Sequence, residues 1–520
     1  MNATDFDVAV AVGQRNLAEF VWGAGDRDGV ALIEHSTGRT YRHRELVFAA
    51  RRFAAALAQR GLHPGANVAV ICPNGAEFIA AYYGVLLVGG VVLALDPLGA
   101  IDEWEAALAR TPAGFAVVTG AVWHTLVRER RAERFQHVVV TDDDGTVAAA
   151  RTGAVVGWGA LLAEATTTVP AAAGGDRAAM LIASSGTQGE PKQIVLTHRN
   201  IAANLVQIDL AHRLTTQDVV LGLTPFRHVY GMLHPLNSTL RVRGTVVTVA
   251  TPFTAADLLD TIHRRRITVA YLVPSVLAEL ATFPDVERYD TSSVRLVYSG
   301  GAPLPVEVAA TCARILGAPV VQGYGMTEAC CTYAPPDIDP GPPGSIGLPV
   351  PGTQTRFVDP DTGLDVDEAD PGEIWIRGPQ VSPGFVQGDG EIVPVTDADG
   401  WLHTGDIGRR DARGYVTITG RAKQLIKYKG HQVAPAELEA ILLGHPNVAD
   451  AVVVGVPDEI AGEIPVAYVV LSTAVPLDDV SAYVAERVAP YKKIRRIEAV
   501  TSIPRSAMGK PLRGGLGRAH

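Results

Sequence analysis

Apolar positions in this chain follow two rhythms. Short unbroken runs rich in Val, Ile and Leu recur at 68–71, 91–95, 138–140, 219–223, 269–273, 296–298 and 320–321. Apolar residues on consecutive rather than alternate positions predict strands of a parallel sheet covered on both faces. Between these runs the apolar positions recur at helical spacing. One such helix follows Thr254, a capping residue, and carries Leu258, Leu259 and Ile262 on one side. It closes on His263-Arg264-Arg265-Arg266, where a helix dipole favours cations. The uncharged stretch 78–95 is long enough to suggest a membrane span, but Gly84, Gly89 and Gly90 interrupt it. We read a buried helix over 78–87, a glycine turn and a buried strand over 91–95.

The pattern changes further along. A small-residue connection at 171–175 leads into the apolar run Met180-Leu181-Ile182-Ala183, and the Pro- and Gly-rich segment 334–349 opens a more β-rich region with strands at 355–358 and 373–376. Beyond a strand at 415–418, the chain predicts a helix opened by Pro435 over 437–443, strands at 451–456 and 466–471, and a helix over 477–488. The expected fold is therefore α/β, with a large N-terminal domain at 1–419 and a small α+β domain at 420–520.

Composition narrows the function classes. A chain of 520 residues exceeds what one core organises, and 47% hydrophobic with 19% charged residues fits a globular enzyme. The net charge of −10 argues against a nucleic-acid surface, so an anionic substrate must meet a local basic site. Cys72, Cys312, Cys330 and Cys331 are too few and too irregularly placed for a disulfide framework or a zinc site. A reducing cytoplasm is the simplest compartment. The start of the chain, Met1-Asn2-Ala3-Thr4-Asp5-Phe6-Asp7, lacks the basic-then-apolar order of a signal peptide.

The chemistry is carried by motifs. Ser184-Ser185-Gly186-Thr187-Gln188-Gly189-Glu190-Pro191-Lys192 follows the apolar run directly. Glycines let backbone N–H groups converge on an anion, hydroxyls add donors and Lys192 adds charge, which together grip phosphates. The spacing is not that of the common P-loop. Further on stand Pro225-Phe226-Arg227-His228-Val229-Tyr230-Gly231-Met232, Tyr298-Ser299-Gly300-Gly301-Ala302-Pro303-Leu304, Gly323-Tyr324-Gly325-Met326-Thr327-Glu328 and Trp401-Leu402-His403-Thr404-Gly405-Asp406. A long motif from Gly420-Arg421-Ala422-Lys423 through Lys427 and Gln432 to Glu439 follows, and Ile503-Pro504-Arg505-Ser506-Ala507-Met508-Gly509-Lys510 comes near the end.

In order and spacing these motifs resemble those of the adenylate-forming superfamily, most closely its acyl-CoA synthetase branch with 4-coumarate–CoA ligases and beetle luciferases. The resemblance covers the whole chain. It implies a large domain of layered αβαβα subdomains plus a β-rich subdomain, with the small domain on a hinge at Lys423. It implies a carboxylic acid–CoA ligase, an acid–thiol ligase acting through an acyl-adenylate on a bulky apolar or aromatic acid. ATP or acyl-AMP, Mg2+ and coenzyme A would be its small-molecule partners, with no nucleic acid and no membrane span. By the same resemblance, Ser184, Ser185, Gly186, Thr187, Gln188, Gly189 and Lys192 hold phosphates. Gly301, Ala302, Gly323, Tyr324, Gly325 and Thr327 frame the adenine and α-phosphate, and Asp406 binds ribose with help from Arg421. Glu328 and Thr187 hold the metal. His228, Tyr230, Tyr298, Gly300, Gly325 and Met326 line the acyl pocket, His228 also gating the carboxylate. Lys510 is the adenylation lysine, and Lys427 and Gln432 act in thioester formation. The arginine-rich cluster at 263–266 has a second reading, as a grip for CoA phosphates.

Some positions depart from the family pattern. Gln188 stands for Thr or Ser and Gln193 for Gly after the lysine; Arg227 and Val229 alter the acyl wall; Met508 replaces Ser or Thr. A bulky Gln193, where Gly permits close approach or positive φ, and a long amide at 188 weaken pyrophosphate handling in this reading. Two alternatives stay open: a ligase that only transfers acyl groups from preformed acyl-AMP supplied by a partner adenylating enzyme, and an acyl-adenylate-binding pseudo-enzyme. A homodimer also stays open. Any carrier protein in place of CoA is expected to be a separate chain.

Overall fold

The computed structural model describes residues 13–23, 28–142, 155–166, 168–169, 172–184, 192–250, 252–336, 339–367, 370–388, 390–429, 431–458, 460–505, 511 and 513. The large N-terminal part is built on two sheets. The nine-stranded sheet runs, edge to edge, Glu391–Val393, Gly384–Gln387, Lys192–Thr197, Ala178–Ser184, Val91–Ala94, Asn67–Ile71, Phe115–Val118, His137–Val140 and Val155–Gly157. The strands from Ala178–Ser184 to Val155–Gly157 are parallel to one another. The seven-stranded sheet is parallel apart from its edge strand Thr40–Arg42.

The unbroken apolar runs are explained by cover on both faces. Val68, Val70, Val92, Met180, Ile182 and Ile194 join one core cluster, and their neighbours Ala69, Ile71, Val91, Leu93, Leu181 and Val195 join another. Each strand thus buries both side-chain rows, at about 25 cal/mol per Å2 of apolar surface. The stretch 78–95 folds as the helix Ala76–Leu87 and the strand Val91–Ala94, turned at Gly89 with φ +79°. No helix among the described residues is long and apolar enough to cross a membrane. The expected helix after Thr254 is Ala255–Arg265, capped reciprocally by Thr254 and Asp257. The last expected helix is shorter than the sequence suggested, ending at Ala485.

A four-stranded antiparallel sheet, Gln354–Val358, Gly372–Arg377, Leu402–Arg410 and Val416–Arg421, supplies the β-rich region. After the short 3-10 turn Ala422–Gln424 the chain enters a separate five-stranded sheet with its own core around Ile426, Val453, Ala467 and Val484. The protein is mixed α/β, with a large N-terminal and a smaller C-terminal domain.

The helix His198–His212 lies at the centre of the large part, and its polar residues join the subdomains. Asn200 donates to the carbonyls of Pro379 and Val381, and Gln207 to that of Pro351. Asn204 both donates to the Cys331 carbonyl at 2.7 Å and accepts from its N–H at 3.0 Å. Asn at i, Asn at i+4 and Gln at i+7 form a stripe facing irregular backbone, where apolar residues would leave carbonyls unpaired.

Candidate active site

Gly323 to Glu328 do not open a helix. Tyr324–Met326 is a short strand, Thr327 and Glu328 lie in a turn, and Cys330–Ala334 returns antiparallel. Cys330 sits at φ +54°, and the paired hydrogen bonds from Asn204 hold the next residue of that irregular turn. Gly323 is required by packing: a Cβ there would fall 1.5 Å from the Tyr298 hydroxyl. Gly325 is required by the hairpin, since its Cβ would meet the Cys330 carbonyl at 2.1 Å.

This hairpin brings Tyr324 onto the four-stranded sheet. The Tyr324 hydroxyl donates to Asp406 Oδ2 at 2.6 Å, and Arg421 Nε donates to Asp406 Oδ1 at 2.6 Å. Asp406 and Arg421 are cross-strand partners, and Gly405 before them is at φ +72°. Asp406 is 6% exposed, so both oxygens are fixed by charge-assisted or phenolic donors in a half-dry site. The result is an aromatic face, a carboxylate and a guanidinium held in one frame. A carboxylate accepts from a diol, and an aromatic face stacks on a base. Glu328 is half-buried in the adjoining turn, with its backbone carbonyl fixed by Ser382 N–H. Its hard carboxylate oxygens suit Mg2+, and Thr187, the other expected ligand, lies outside the described residues.

The two sequence segments expected to line an acyl pocket, around Tyr230 and around Tyr298, meet in the structure. The Tyr230 hydroxyl donates to the Tyr298 carbonyl at 2.8 Å, and a Cβ at Gly300 would come within 3.3 Å of the Tyr230 ring. Gly301, at φ +88°, turns the chain away, followed by Ala302. Met326 is half-buried at the end of its strand. His228 precedes the short helix Val229–Gly231, and its carbonyl accepts from Met232 N–H at 2.8 Å. Burial, with the nearby Arg227 guanidinium adding to it, pushes the His228 imidazole down to about 4, so the ring is neutral near pH 7. Arg227 itself is held by Asp96, Nη2 to Oδ2 at 2.6 Å. Sequence reading missed Asp96, which has no motif around it; only the fold brings it to residue 227.

The strands on either side of the expected phosphate loop, Ala178–Ser184 and Lys192–Thr197, are antiparallel neighbours. Ser184 ends one strand, Lys192 begins the other, and the two are register partners. Ser185, Gly186, Thr187, Gln188 and Gly189 lie outside the described residues. Lys192 Nζ is 4.2 Å from the centroid of the Phe385 ring. Gln193 does not take a positive φ. It is in extended strand between Ala183 and Val386, is 1% exposed, and shares a face with Val195 rather than with Lys192.

In the small domain Lys427 and Gln432 are cross-strand partners in the hairpin Ile426–Tyr428 and His431–Val433. Lys427 is exposed, with Nζ 3.9 Å from Asp361 of the large domain. Lys423 is exposed in the connecting 3-10 turn. Lys510 lies outside the described residues.

Residues 20–386 match the AMP-binding enzyme family, and residues 437–510 match the C-terminal domain of AMP-binding enzymes. The chain belongs to the AMP-binding enzyme family. This AMP-binding enzyme is 37% identical over 506 residues to 4-coumarate–CoA ligase 2 of Oryza sativa subsp. japonica, covering 94% of this chain and 89% of that one. The fold matches ATP-bound MatB from Rhodopseudomonas palustris at TM-score 0.88 and 28% identity, covering 97% and 98% of the two chains. It matches a benzoate CoA ligase from Burkholderia xenovorans LB400 at TM-score 0.85 and 26% identity, covering 97% and 100%. The adenylate-forming superfamily read from the motifs is thus the superfamily of this AMP-binding enzyme.

Proposed function

We propose that this enzyme is an AMP-forming carboxylic acid–CoA ligase that joins a bulky apolar or aromatic acid to coenzyme A through an acyl-adenylate. The observation that carries the reading is the frame of Tyr324, Asp406 and Arg421, placed beside the glycine-rich wall of Gly300 and Gly301. Such a frame holds a nucleoside by its base and ribose while the acid lies against Tyr230 and Tyr298. Similarity to a 4-coumarate and a benzoate ligase supports an aromatic acid.

In this reading the neutral His228 positions the carboxylate without competing for a proton, and Lys192 attracts the ATP phosphates. Lys510 neutralises charge as it develops between carboxylate and α-phosphate. Mg2+ on Glu328 would supply charge compensation for the departing pyrophosphate. AMP leaves when the CoA thiolate attacks the acyl carbon, with Lys427 and Gln432 presented by the swung small domain about Lys423. Free, buried cysteines suit a reducing cytoplasm. The alternative of a ligase deficient in adenylation now leans on Gln188, because the Gln193 side chain faces away from Lys192.

The test is incubation with ATP, Mg2+, CoA and a panel of aliphatic, benzoic and cinnamic acids, following AMP and thioester by chromatography. Acid-dependent AMP and thioester together support the reading. Thioester from supplied acyl-AMP without ATP–pyrophosphate exchange selects the transfer-only alternative, and neither product from any acid overturns both.

A further inference from the structure

The groups that would act together in an adenylation stand on two different sheets. His228 follows the strand Val219–Leu221 of the seven-stranded sheet, whereas Ser184 and Lys192 end and begin strands of the nine-stranded sheet. The distance between a carboxylate gate and a phosphate grip is therefore set by whatever ties the ends of these strands together. Two polar side chains of the nine-stranded sheet, Asn74 and Asp96, reach across to the segment 222–228. Neither stands in a motif that the sequence marks for chemistry.

Asn74 lies just beyond the strand Asn67–Ile71 and ahead of the helix Ala76–Leu87. Both ends of its amide engage the other sheet's chain. Nδ2 donates to the Gly222 carbonyl at 3.1 Å and to the Thr224 carbonyl at 3.0 Å, and Oδ1 accepts from Phe226 N–H at 2.8 Å. These backbone groups lie past Leu221, the last residue of their strand. An amide is the side chain that offers two donors and an acceptor to such irregular backbone. Phe226 is fully buried, and its ring packs 5.8 Å from that of Phe78 in the helix that Asn74 precedes.

Asp96 stands just past the neighbouring strand Val91–Ala94. Its Oδ2 accepts from Arg227 Nη2 at 2.6 Å, its Oδ1 from Leu98 N–H at 3.0 Å, and its carbonyl from Trp104 Nε1 at 2.8 Å. The residue before His228 is thus tied to a turn that is itself held. Val91–Ala94 pairs directly with Ala178–Ser184, the strand that ends at the expected phosphate loop. Beyond Arg227 the chain closes tightly. His228 N–H donates to the Pro225 carbonyl at 3.0 Å, and a Cβ at Gly231 would meet that carbonyl oxygen at 2.2 Å. With Phe226 and Arg227 pinned and the turn closed, His228 has little freedom to shift relative to Ser184.

We infer that Asn74 and Asp96 are positioning residues for adenylation, which brace His228 against the nine-stranded sheet and set the distance from the acid's carboxylate to the α-phosphate. The inference rests on the acid–CoA ligase reading. In that step a carboxylate oxygen bonds to the α-phosphorus, and the bond to pyrophosphate breaks with its electron pair on the leaving oxygen. Such an attack is sensitive to placement, and an error of about 1 Å can cost roughly 100-fold in rate. Transfer of the acyl group from acyl-AMP to CoA starts with the new bond already made, so it depends far less on the brace.

The experiment measures ATP–pyrophosphate exchange and acyl transfer from synthetic acyl-AMP in Asn74→Ala, Asp96→Asn and Asp96→Glu. Working at about pH 8, above the ordinary range of histidine, keeps His228 neutral throughout. In Asn74→Ala and Asp96→Asn the kcat for exchange should fall by about 10- to 100-fold. ATP affinity, read by calorimetry, and acyl transfer should stay near the parent's. Asp96→Glu, which keeps a charge for Arg227, should retain part of the exchange rate. Asp96→Asn combined with Arg227→Gln should lose little more than the worse single change, because both act through one contact. The Asp96 side chain is 32% exposed, so its variants decide the matter even where Asn74→Ala fails to fold. Equal loss of both half-reactions, a loss confined to KM or ATP affinity, or exchange at the parent's rate in folded variants would each overturn the brace. A parent protein that transfers acyl groups without any exchange overturns the brace and leaves the ligase reading in its transfer-only form; no product from any acid overturns both.

Discussion

Asp406 is held from two sides, by Arg421 Nε and by the Tyr324 hydroxyl, each at 2.6 Å. Asp406→Asn removes the charge that both donors serve and leaves Arg421 facing a neutral amide. A charge-assisted hydrogen bond contributes about 1.5–3 kcal/mol, so AMP affinity should fall by roughly 10- to 100-fold, read by calorimetry. Tyr324→Phe, which keeps the ring, should lose less. An unchanged AMP affinity in Asp406→Asn would mean that the ribose lies elsewhere. His228 permits a pH test. Its folded value of about 4 lies below the value of about 6.5 for an unfolded histidine. Between those values the unfolded chain binds the proton and the folded chain does not, so stability is intact above pH 6.5 and is lost as pH falls toward 4. Arg227→Gln removes one of the influences that depress the ring and leaves Asp96 to raise it. The acid limb of the kcat/KM profile should therefore move to higher pH, and a profile superimposable on the parent's would separate Arg227 from His228.

The helix His198–His212 shows what an element contributes beyond its residues. Its N-terminus is fixed by a reciprocal cap between Thr197 and Asn200, and its polar stripe grips backbone from the other subdomains. Asn204→Ala breaks both bonds to Cys331 and leaves a buried N–H and carbonyl unpaired. The expected loss is about 2–6 kcal/mol of unfolding free energy, at 1–3 kcal/mol per unsatisfied group. Because Cys331 anchors the hairpin that carries Tyr324, AMP affinity should fall with stability. Chemical denaturation and calorimetry on the same variant check the two together, and weakened stability with unaltered AMP binding would show that the hairpin is held independently. The stripe was invisible in the sequence, since an Asn or Gln on a helix reads as solvent-facing until tertiary contacts show what it meets.

For the molecule as a whole, the small domain is joined through the 3-10 turn Ala422–Gln424 and has its own core, so it can move as a unit. Lys427 lies in its hairpin, against Asp361, and Lys510 comes from the segment near its end. If the two lysines serve one centre in turn, Lys510→Ala should stop ATP–pyrophosphate exchange while sparing CoA transfer from synthetic acyl-AMP, and Lys427→Ala should do the opposite. Each affected half-reaction should slow by about 100-fold or more, on the scale of removing one transition-state stabilising group. Equal loss of both half-reactions in both variants would rule out alternation.

The sequence by itself determined the buried parallel strands, the separate C-terminal module and the family. These are recorded locally, in unbroken apolar runs, in Pro and Gly punctuation and in motifs whose residues are contiguous. By resemblance it also named Tyr324, Asp406 and Arg421, one by one, as candidates for a nucleotide site. Tertiary structure decided what contiguity cannot hold: the closure of those three into one frame, the pairing of Arg227 with Asp96, and the hairpin turn at Thr327 and Glu328. It decided Gln193 as well, because a strand on either side of that residue sets its backbone extended and its side chain away from Lys192. His212 and His234 give the plainest contrast. Each reads alone as an ordinary residue of an apolar helix, and only the packing of two helical segments against Tyr271 and Tyr298 leaves His212 Nε2 and His234 Nδ1 buried with no partner among the described residues.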